Sequence, residues 1–203
     1  MNVRSTLLVI ISIWIIFLSG CSGIDSRALE ESLTIATWNV RGHPESQQAD
    51  RTWFSNELTK INPDIICIQE IANKDKVKTF LTNENHFTSA AFLDSSDGQD
   101  NAIFPTQNIE MKDIPDPNGF QHPAQAAYVA YKGFDAVIVT VHLSWTNVAM
   151  REKEKELLKS VVTLMLTIDP DVIIAGDFNT QDPQIQELAK SIGMIVMVPA
   201  RME

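Results

Sequence analysis

Residues 172–179 have the sequence VIIAGDFN, an apolar run that ends abruptly in Asp177 and Asn179. The run is short, rich in β-branched residues and preceded by Pro170, which predicts a strand buried on both faces. Such strands are typical of α/β folds, in which the ligand crevice lies beyond the carboxyl ends of the strands. Asp177 and Asn179 are therefore candidate site residues.

Three other apolar runs end in the same way, each in a residue type that binds metals or transfers protons: Asn39 after residues 33–38, Glu70 after residues 65–69, and His142 after residues 137–141. Taken singly, each has an ordinary structural explanation, because Asn forms turns, acids cap helices and an isolated His is usually structural. Taken together, the four strand ends predict one site at one edge of the strands.

The rest of the chain alternates between helical and strand patterns. Apolar residues at helical spacing predict helices at residues 47–61, 151–168 and 183–192, and the charged first turns of the second are expected to be solvated. Further strands are predicted at residues 86–93, 101–104, 126–131 and 136–141. The order indicates a mixed α/β fold whose buried strands are covered on both faces.

The composition excludes several classes of protein. The 203 residues are 44% apolar and 21% charged, which excludes disordered and collagen-like chains. With 16 Lys and Arg against 26 Asp and Glu, the formal charge is −10, unlike that of a basic nucleic-acid coat protein. Any phosphate bound is therefore expected to arrive with a metal. Cys67, inside an apolar run, is expected to be a buried core residue rather than a nucleophile.

The amino-terminal segment has the plan of a secretory signal, with Arg4, an apolar run and then small residues. Leu18-Ser19-Gly20-Cys21 resembles the lipobox of bacterial lipoproteins. We therefore expect a signal peptide at residues 1–20, a lipidated tether at 21–32 beginning with a lipid on Cys21, and a domain at 33–203. The protein would be exported and lipid-anchored to a bacterial membrane, with Ser22 favouring the outer membrane. An uncleaved anchor, or an ordinary signal with a chance cysteine, is the alternative.

Four motifs together resemble the endonuclease/exonuclease/phosphatase superfamily, the metal-dependent phosphodiesterases that include deoxyribonuclease I and exonuclease III. The matching segments lie in the family's order: TWNVRG at 37–42, PDIICIQE at 63–70, VHL at 141–143 and GDFNT at 176–180. The resemblance implies an α/β (α+β) fold, a four-layer sandwich of two mixed β-sheets flanked by helices. Its substrate would be DNA or another phosphodiester, and no protein partner is indicated.

The resemblance also implies a role for each strand-end residue. Glu70 would be the principal ligand of Mg²⁺, with Mn²⁺ as an alternative, and Asn39 would help to hold the ion. Asp177 would orient or deprotonate the attacking water. Asn179 would bind a phosphate oxygen, and His142 would act at the scissile phosphate. Such an ion neutralises the anionic phosphodiester, and the carboxylate positions its nucleophile.

Several residues are weaker candidates. Asn101, or its neighbour Asp100, and Arg41 are possible phosphate contacts, as is Arg151, although exposed arginines usually have no such role. Trp145 is expected to pack rather than to shape a groove. Three histidines without a matching motif are expected on the surface or in loops: His43, His86 and His122.

One family feature has no counterpart. Members end with a further strand pair and a Ser-Asp-His motif, whereas no Asp or His follows the Asp182-Pro183 turn. We therefore expect the sandwich to lack its last strands, and the enzyme activity to depend on whether the remaining site suffices. The leading interpretation is a Mg²⁺-dependent DNA endonuclease or exonuclease. The alternatives are a phosphatase or phosphodiesterase of inositol phosphates or sphingomyelin, and a truncated inactive lipoprotein.

Overall fold

The computed structural model describes residues 8–14, 32–42, 48–88, 91–93, 100–114, 119–180 and 182–196. Their helices and strands, in chain order, are β1 (Leu8–Trp14), β2 (Ser32–Asn39), α1 (Gln48–Ile61), β3 (Ile65–Ile71), α2 (Lys74–Glu84), β4 (Ala91–Leu93), β5 (Asp100–Pro105), β6 (Glu110–Ile114), β7 (Gln125–Tyr131), β8 (Phe134–His142), α3 (Val148–Met165), β9 (Val172–Asp177) and α4 (Asp182–Ser191).

The strands form two mixed sheets. The first has the order β1-β2-β3-β5-β4 and the second the order β6-β7-β8-β9. Within them β2 runs parallel to β3, and β8 runs parallel to β9, while the other neighbours are antiparallel. Parallel neighbours end at the same edge of a sheet, so this pairing places the predicted strand-end residues side by side.

Three apolar clusters fill the spaces between four layers. The cluster between the sheets joins side chains such as Ile35 and Ile65 to Ile138 of the second sheet. On the outer face of the first sheet, Trp38 stacks on Phe54 of α1 with ring centroids 3.9 Å apart. The third cluster packs α3 and α4 against the second sheet. The predicted four-layer sandwich of two mixed sheets is confirmed.

The predicted elements agree with the structure except at a few places. The predicted helix 151–168, which is α3, begins earlier, at Val148, and ends at Met165, after which residues 166–168 form a turn. The predicted strand at 86–93 is reduced to a bridge at Phe87 and to β4. Three elements were not predicted: β1, α2 and β6. Cys67 is fully buried, as predicted, and burial raises the pKa of its thiol to about 12.

The apolar segment expected to be part of a signal peptide pairs with the domain instead. β1 lies antiparallel to β2, in a register that runs from Leu8 opposite Trp38 to Trp14 opposite Ser32. Cleavage after Gly20 would remove β1, and it stays a prediction. Cys21 and the tether up to residue 31 lie outside the described residues. None of the described helices combines the length and the apolar character needed to cross a bilayer.

Candidate functional site

One carboxamide joins the two sheets at the edge where the strands end. The Nδ2 of Asn39, at the end of β2, donates to Glu70 Oε1 at 2.8 Å and to Asp177 Oδ2 at 2.9 Å. Glu70 follows the residue that pairs with Asn39, and Asp177 pairs with His142 on the neighbouring strand. The structure therefore brings these four predicted residues together.

The backbone at Glu70 is distorted in a way that serves the site. The pairing of β3 with β5 shifts register between Ile68 and Ile71, and Glu70 has a φ of 58° within this irregularity. A positive φ is uncommon for a residue with a side chain and concentrates at functional sites. The Gly42 N–H donates to the Glu70 carbonyl at 2.8 Å and fixes the distorted segment.

Close approach of two strands explains the glycine before Asp177. Gly176 has a φ of 150°, and a Cβ atom there would lie 2.1 Å from the carbonyl oxygen of Val141. No other residue fits this contact, because real Cβ atoms do not approach a backbone oxygen so closely. The glycine in GDFN thus lets β8 and β9 lie close enough to place His142 beside Asp177.

The segment after β9 holds the Asp177 carboxylate from its second oxygen. Asp177 Oδ1 accepts the backbone N–H of Asn179 at 2.9 Å, and Asn179 itself has a φ of 47°. The Asn179 side chain donates to the carbonyl of Leu143 at 2.7 Å. Asn179 therefore lies beside Asp177 and links the loop after His142 to it, while its catalytic role and its contact with phosphate stay predictions.

His142 is buried, and its burial favours the neutral form of the imidazole. Its side chain is 3% exposed, and its Nε2 lies 3.4 Å from Glu70 Oε1. Burial, followed by the nearby His122, lowers the pKa of His142 below its usual value of 6.5, against the opposing effect of the carboxylates. A neutral imidazole retains one N–H donor and one acceptor nitrogen. Among the described residues, its Nδ1 has no hydrogen-bond partner.

His122 is a site residue that the sequence did not reveal. It lies in a loop, as expected, but it is buried, and its ring stacks on that of His142 with centroids 4.7 Å apart and planes 17° apart. Asn101 Nδ2 donates to the carbonyl of Pro123 at 2.8 Å, which fixes the same loop. The amide nitrogen of Asn101 is thus engaged by the backbone, and its contact with phosphate stays a prediction.

Two buried polar side chains fix the backbone and the sheets around the site. Glu154, expected on the solvated face of α3, is instead fully buried and accepts the backbone N–H groups of Gln121 at 2.8 Å and Ser144 at 2.7 Å. It therefore fixes both loops that flank the stacked histidines. Gln69 Nε2 donates to the hydroxyl of Thr140 at 2.8 Å and so links the two sheets.

The remaining candidates have specific positions. Arg41 is exposed beside the site, and its backbone N–H donates to Asn39 Oδ1 at 3.1 Å. Arg151 is engaged by the protein, because its Nη1 donates to the carbonyls of Ser144 and Trp145. The expectation that Trp145 packs is wrong, since its side chain is 72% exposed. Two minor candidates lie as follows: Asp100 is buried, and His86 is exposed as expected.

The donor set suits a hard divalent cation. Two carboxylates, Glu70 and Asp177, meet across one neutral amide, so a cation at this place would relieve their mutual repulsion. No group of three or more His, Cys, Asp or Glu suited to a metal occurs in the described part of the chain. Two carboxylates, one amide and several waters nevertheless match Mg²⁺, which keeps much of its water when bound.

Comparison with known proteins gives the site a context. Residues 36–188 match the family model described as "Endonuclease/Exonuclease/phosphatase family". Tyrosyl-DNA phosphodiesterase 2 of Xenopus laevis is 28% identical over 189 residues, which cover 87% of this chain and 48% of that protein. The chain thus spans about half the length of this curated relative.

Solved structures share the fold at low sequence identity. TDP2 of D. rerio, complexed with single strand DNA product, is 24% identical with a TM-score of 0.60 over 83% of this chain and 66% of that one. A mannosyl-6-phosphatase of Bacteroides thetaiotaomicron is 14% identical with a TM-score of 0.63 over 78% and 70% of the two chains. Together with the match over residues 36–188, these findings show that the chain belongs to the Endonuclease/Exonuclease/phosphatase family.

Proposed function

We propose that the protein is a divalent-metal-dependent phosphodiesterase that hydrolyses DNA. The observation that carries the proposal is the Asn39 carboxamide, which donates at once to Glu70 and Asp177 and so holds two carboxylates beside the neutral His142. The relative named tyrosyl-DNA phosphodiesterase 2 and the family match support this reaction type.

Glu70, Asp177 and Asn39 are the residues that would hold the ion, with Mg²⁺ preferred and Mn²⁺ as the alternative. The cation, when bound, supplies charge neutralisation of the phosphate and lowers the pKa of water. Asn39 now presents its amide nitrogen to the carboxylates and its Oδ1 to the Arg41 N–H. Asn39 would therefore act as a ligand only after its carboxamide rotates, whereas Glu70 and Asp177 already present oxygens.

The side chains divide the remaining work. Hydrogen bonds from Asn39 and from the Asn179 N–H fix both oxygens of Asp177, so this carboxylate is oriented to position the attacking water. His142 is neutral and can donate one N–H to a non-bridging phosphate oxygen, where negative charge develops. Burial of the imidazole removes competing water and strengthens that hydrogen bond.

Location and anchoring form part of the same proposal. The signal-like residues 1–20 and the lipobox-like junction before Cys21 support an exported enzyme, lipid-anchored to a bacterial membrane. Metabolic labelling with a radioactive fatty acid tests this directly. Label should enter the wild type and be absent from Cys21→Ser, and label-free wild-type protein would disprove the anchor.

Hydrolysis assays test the reaction. Purified protein should nick plasmid DNA or shorten a labelled oligonucleotide with Mg²⁺, and EDTA should abolish the activity. Glu70→Gln and Asp177→Asn should each lower the rate at least about 100-fold, while Glu156→Gln, which changes an exposed acid on α3, should leave it unchanged. Cleavage of inositol phosphates or sphingomyelin but not of DNA would contradict the proposed substrate. Inactivity on all of them with Mg²⁺ would contradict the proposal that the protein is an enzyme.

A further inference from the structure

Trp145 is an exposed aromatic side chain beside the site that the proposed reaction does not use. It lies three residues after His142, and its side chain is 72% exposed, whereas Trp38 is buried in the core. Large aromatic side chains contribute most to binding when they are rigid and can exclude water from a partner. The Trp145 indole, exposed three residues after His142, is therefore available to a ligand of the proposed site.

The backbone that carries this indole is fixed at successive residues. Arg151 Nη1 donates to the carbonyls of Ser144 at 2.7 Å and Trp145 at 3.0 Å. The buried carboxylate of Glu154 accepts the Ser144 N–H at 2.7 Å. Arg151 and Glu154 thus hold the backbone of Ser144 and Trp145 in one conformation. Such preorganisation lowers the entropy lost when a ligand binds.

The same loop is attached to the site itself. Asn179, whose N–H holds the Asp177 carboxylate, donates through its side chain to the carbonyl of Leu143 at 2.7 Å. Trp145 follows Leu143 by two residues, so their Cα atoms are at most about 7.6 Å apart. The backbone that carries the indole is thus held close to Leu143, whose carbonyl Asn179 binds.

We propose that Trp145 forms a stacking subsite for a planar ring, namely the base of a nucleotide that flanks the scissile phosphate. The proposal rests on the proposed function for the position of that phosphate. Every base has a π face, so a single indole binds bases with little sequence preference and strengthens binding about tenfold per stacked base. Substrates without a ring next to the phosphate would gain nothing from this residue.

Binding measured with Ca²⁺ in place of Mg²⁺, so that a divalent ion is present for the phosphate while hydrolysis is suppressed, tests the subsite separately from catalysis. The probes are a short single-stranded oligothymidylate and an oligomer of the same length whose nucleotides lack bases, with dissociation constants taken from fluorescence anisotropy. The wild type should bind the base-bearing oligomer about tenfold more tightly than the abasic one. Trp145→Ala should lose this difference and leave abasic binding unchanged, while Trp145→Phe should keep most of it.

A second tryptophan supplies the matched control. Trp53 lies on α1 and is also partly exposed, so Trp53→Phe should bind both oligomers as the wild type does. Equal binding of both oligomers by the wild type, no binding of the base-bearing one, or an equal loss on both in Trp145→Ala would overturn the subsite. A protein that binds with this preference yet never hydrolyses DNA would overturn only the proposed function.

Discussion

The imidazole of His122 lies nearly flat against that of His142, with ring centroids 4.7 Å apart. One ring comes from the loop before β7 and the other from the end of β8, and Glu154 fixes the backbone next to both. The stack therefore places His142 by packing from one side, while Glu70 lies 3.4 Å from its Nε2. We therefore expect His122 to position His142 through this stack.

Replacing His122 should slow turnover according to the shape of the new side chain. His122→Ala removes the stacked ring, so kcat should fall about tenfold while KM changes little, because His142 loses its fixed orientation. His122→Phe restores a planar ring and should recover most of the rate. Steady-state kinetics on a labelled oligonucleotide give both constants, and a Phe variant as slow as the Ala variant would rule out stacking as the cause.

Stability should depend on pH through His142. Because burial lowers its pKa in the folded state, the unfolded chain binds more protons once the pH falls below about 6.5. The free energy of unfolding should therefore decrease as the pH falls below that value, by at most about 1.4 kcal/mol per pH unit from this group. Urea unfolding of wild type and His142→Asn over the acidic range isolates the contribution, since the variant should show a shallower decrease. Parallel profiles would contradict it.

Substitution of Gly176 should be far more harmful than substitution of another glycine with positive φ. A methyl group at Gly176 meets the Val141 carbonyl at 2.1 Å, so Gly176→Ala should cost at least about 3 kcal/mol and separate β9 from β8. Gly133, with a φ of 84° and open space around it, is the control, and Gly133→Ala should cost about 1 kcal/mol. Chemical denaturation measures both, and similar losses would contradict the close approach.

Much of the site was predictable because its signals are local. Asn39, Glu70, His142 and Asp177 each lie at the end of an apolar strand. Parallel pairing brings together the strand ends within each sheet, and the packing of the two sheets brings the two pairs together. The support around them was not predictable from local sequence. Glu154 has the composition of a solvated helix face, and it is buried only because the N–H groups of two loops, distant in sequence, converge on it.

The elements β6 and α2 were missed for reasons that lie in their local sequence. β6 is a polar edge strand, exposed at most positions, and thus lacks the alternation that predicts strands. α2 does carry a signal, because Asn73 caps its first turn and Val77, Phe80 and Leu81 share one apolar face. Its shortness and its charged exposed face made that signal easy to pass over.

Cation binding should be visible as a change in thermal stability. Mg²⁺ between Glu70 and Asp177 would relieve their repulsion, so millimolar Mg²⁺ should raise the Tm of the wild type, and EDTA should reverse the increase. Glu70→Gln removes one of the two charges and should melt at nearly the same temperature with and without Mg²⁺. Glu156→Gln should respond as the wild type does. A Tm that Mg²⁺ leaves unchanged in the wild type would argue against a cation at this place.

The pairing of β1 with β2 means that export and folding would compete for the same segment of the chain. The seven residues Leu8–Trp14 form much of the apolar run that identifies the predicted signal, and in the structure their backbone is engaged by the strand that carries Asn39. A segment already paired in a sheet is not available to a translocation apparatus, so a chain that folded before export would not present its signal. Conversely, a chain that is exported and cleaved would lack β1, and the edge of β2, the strand that carries Asn39, would be free to pair with another strand.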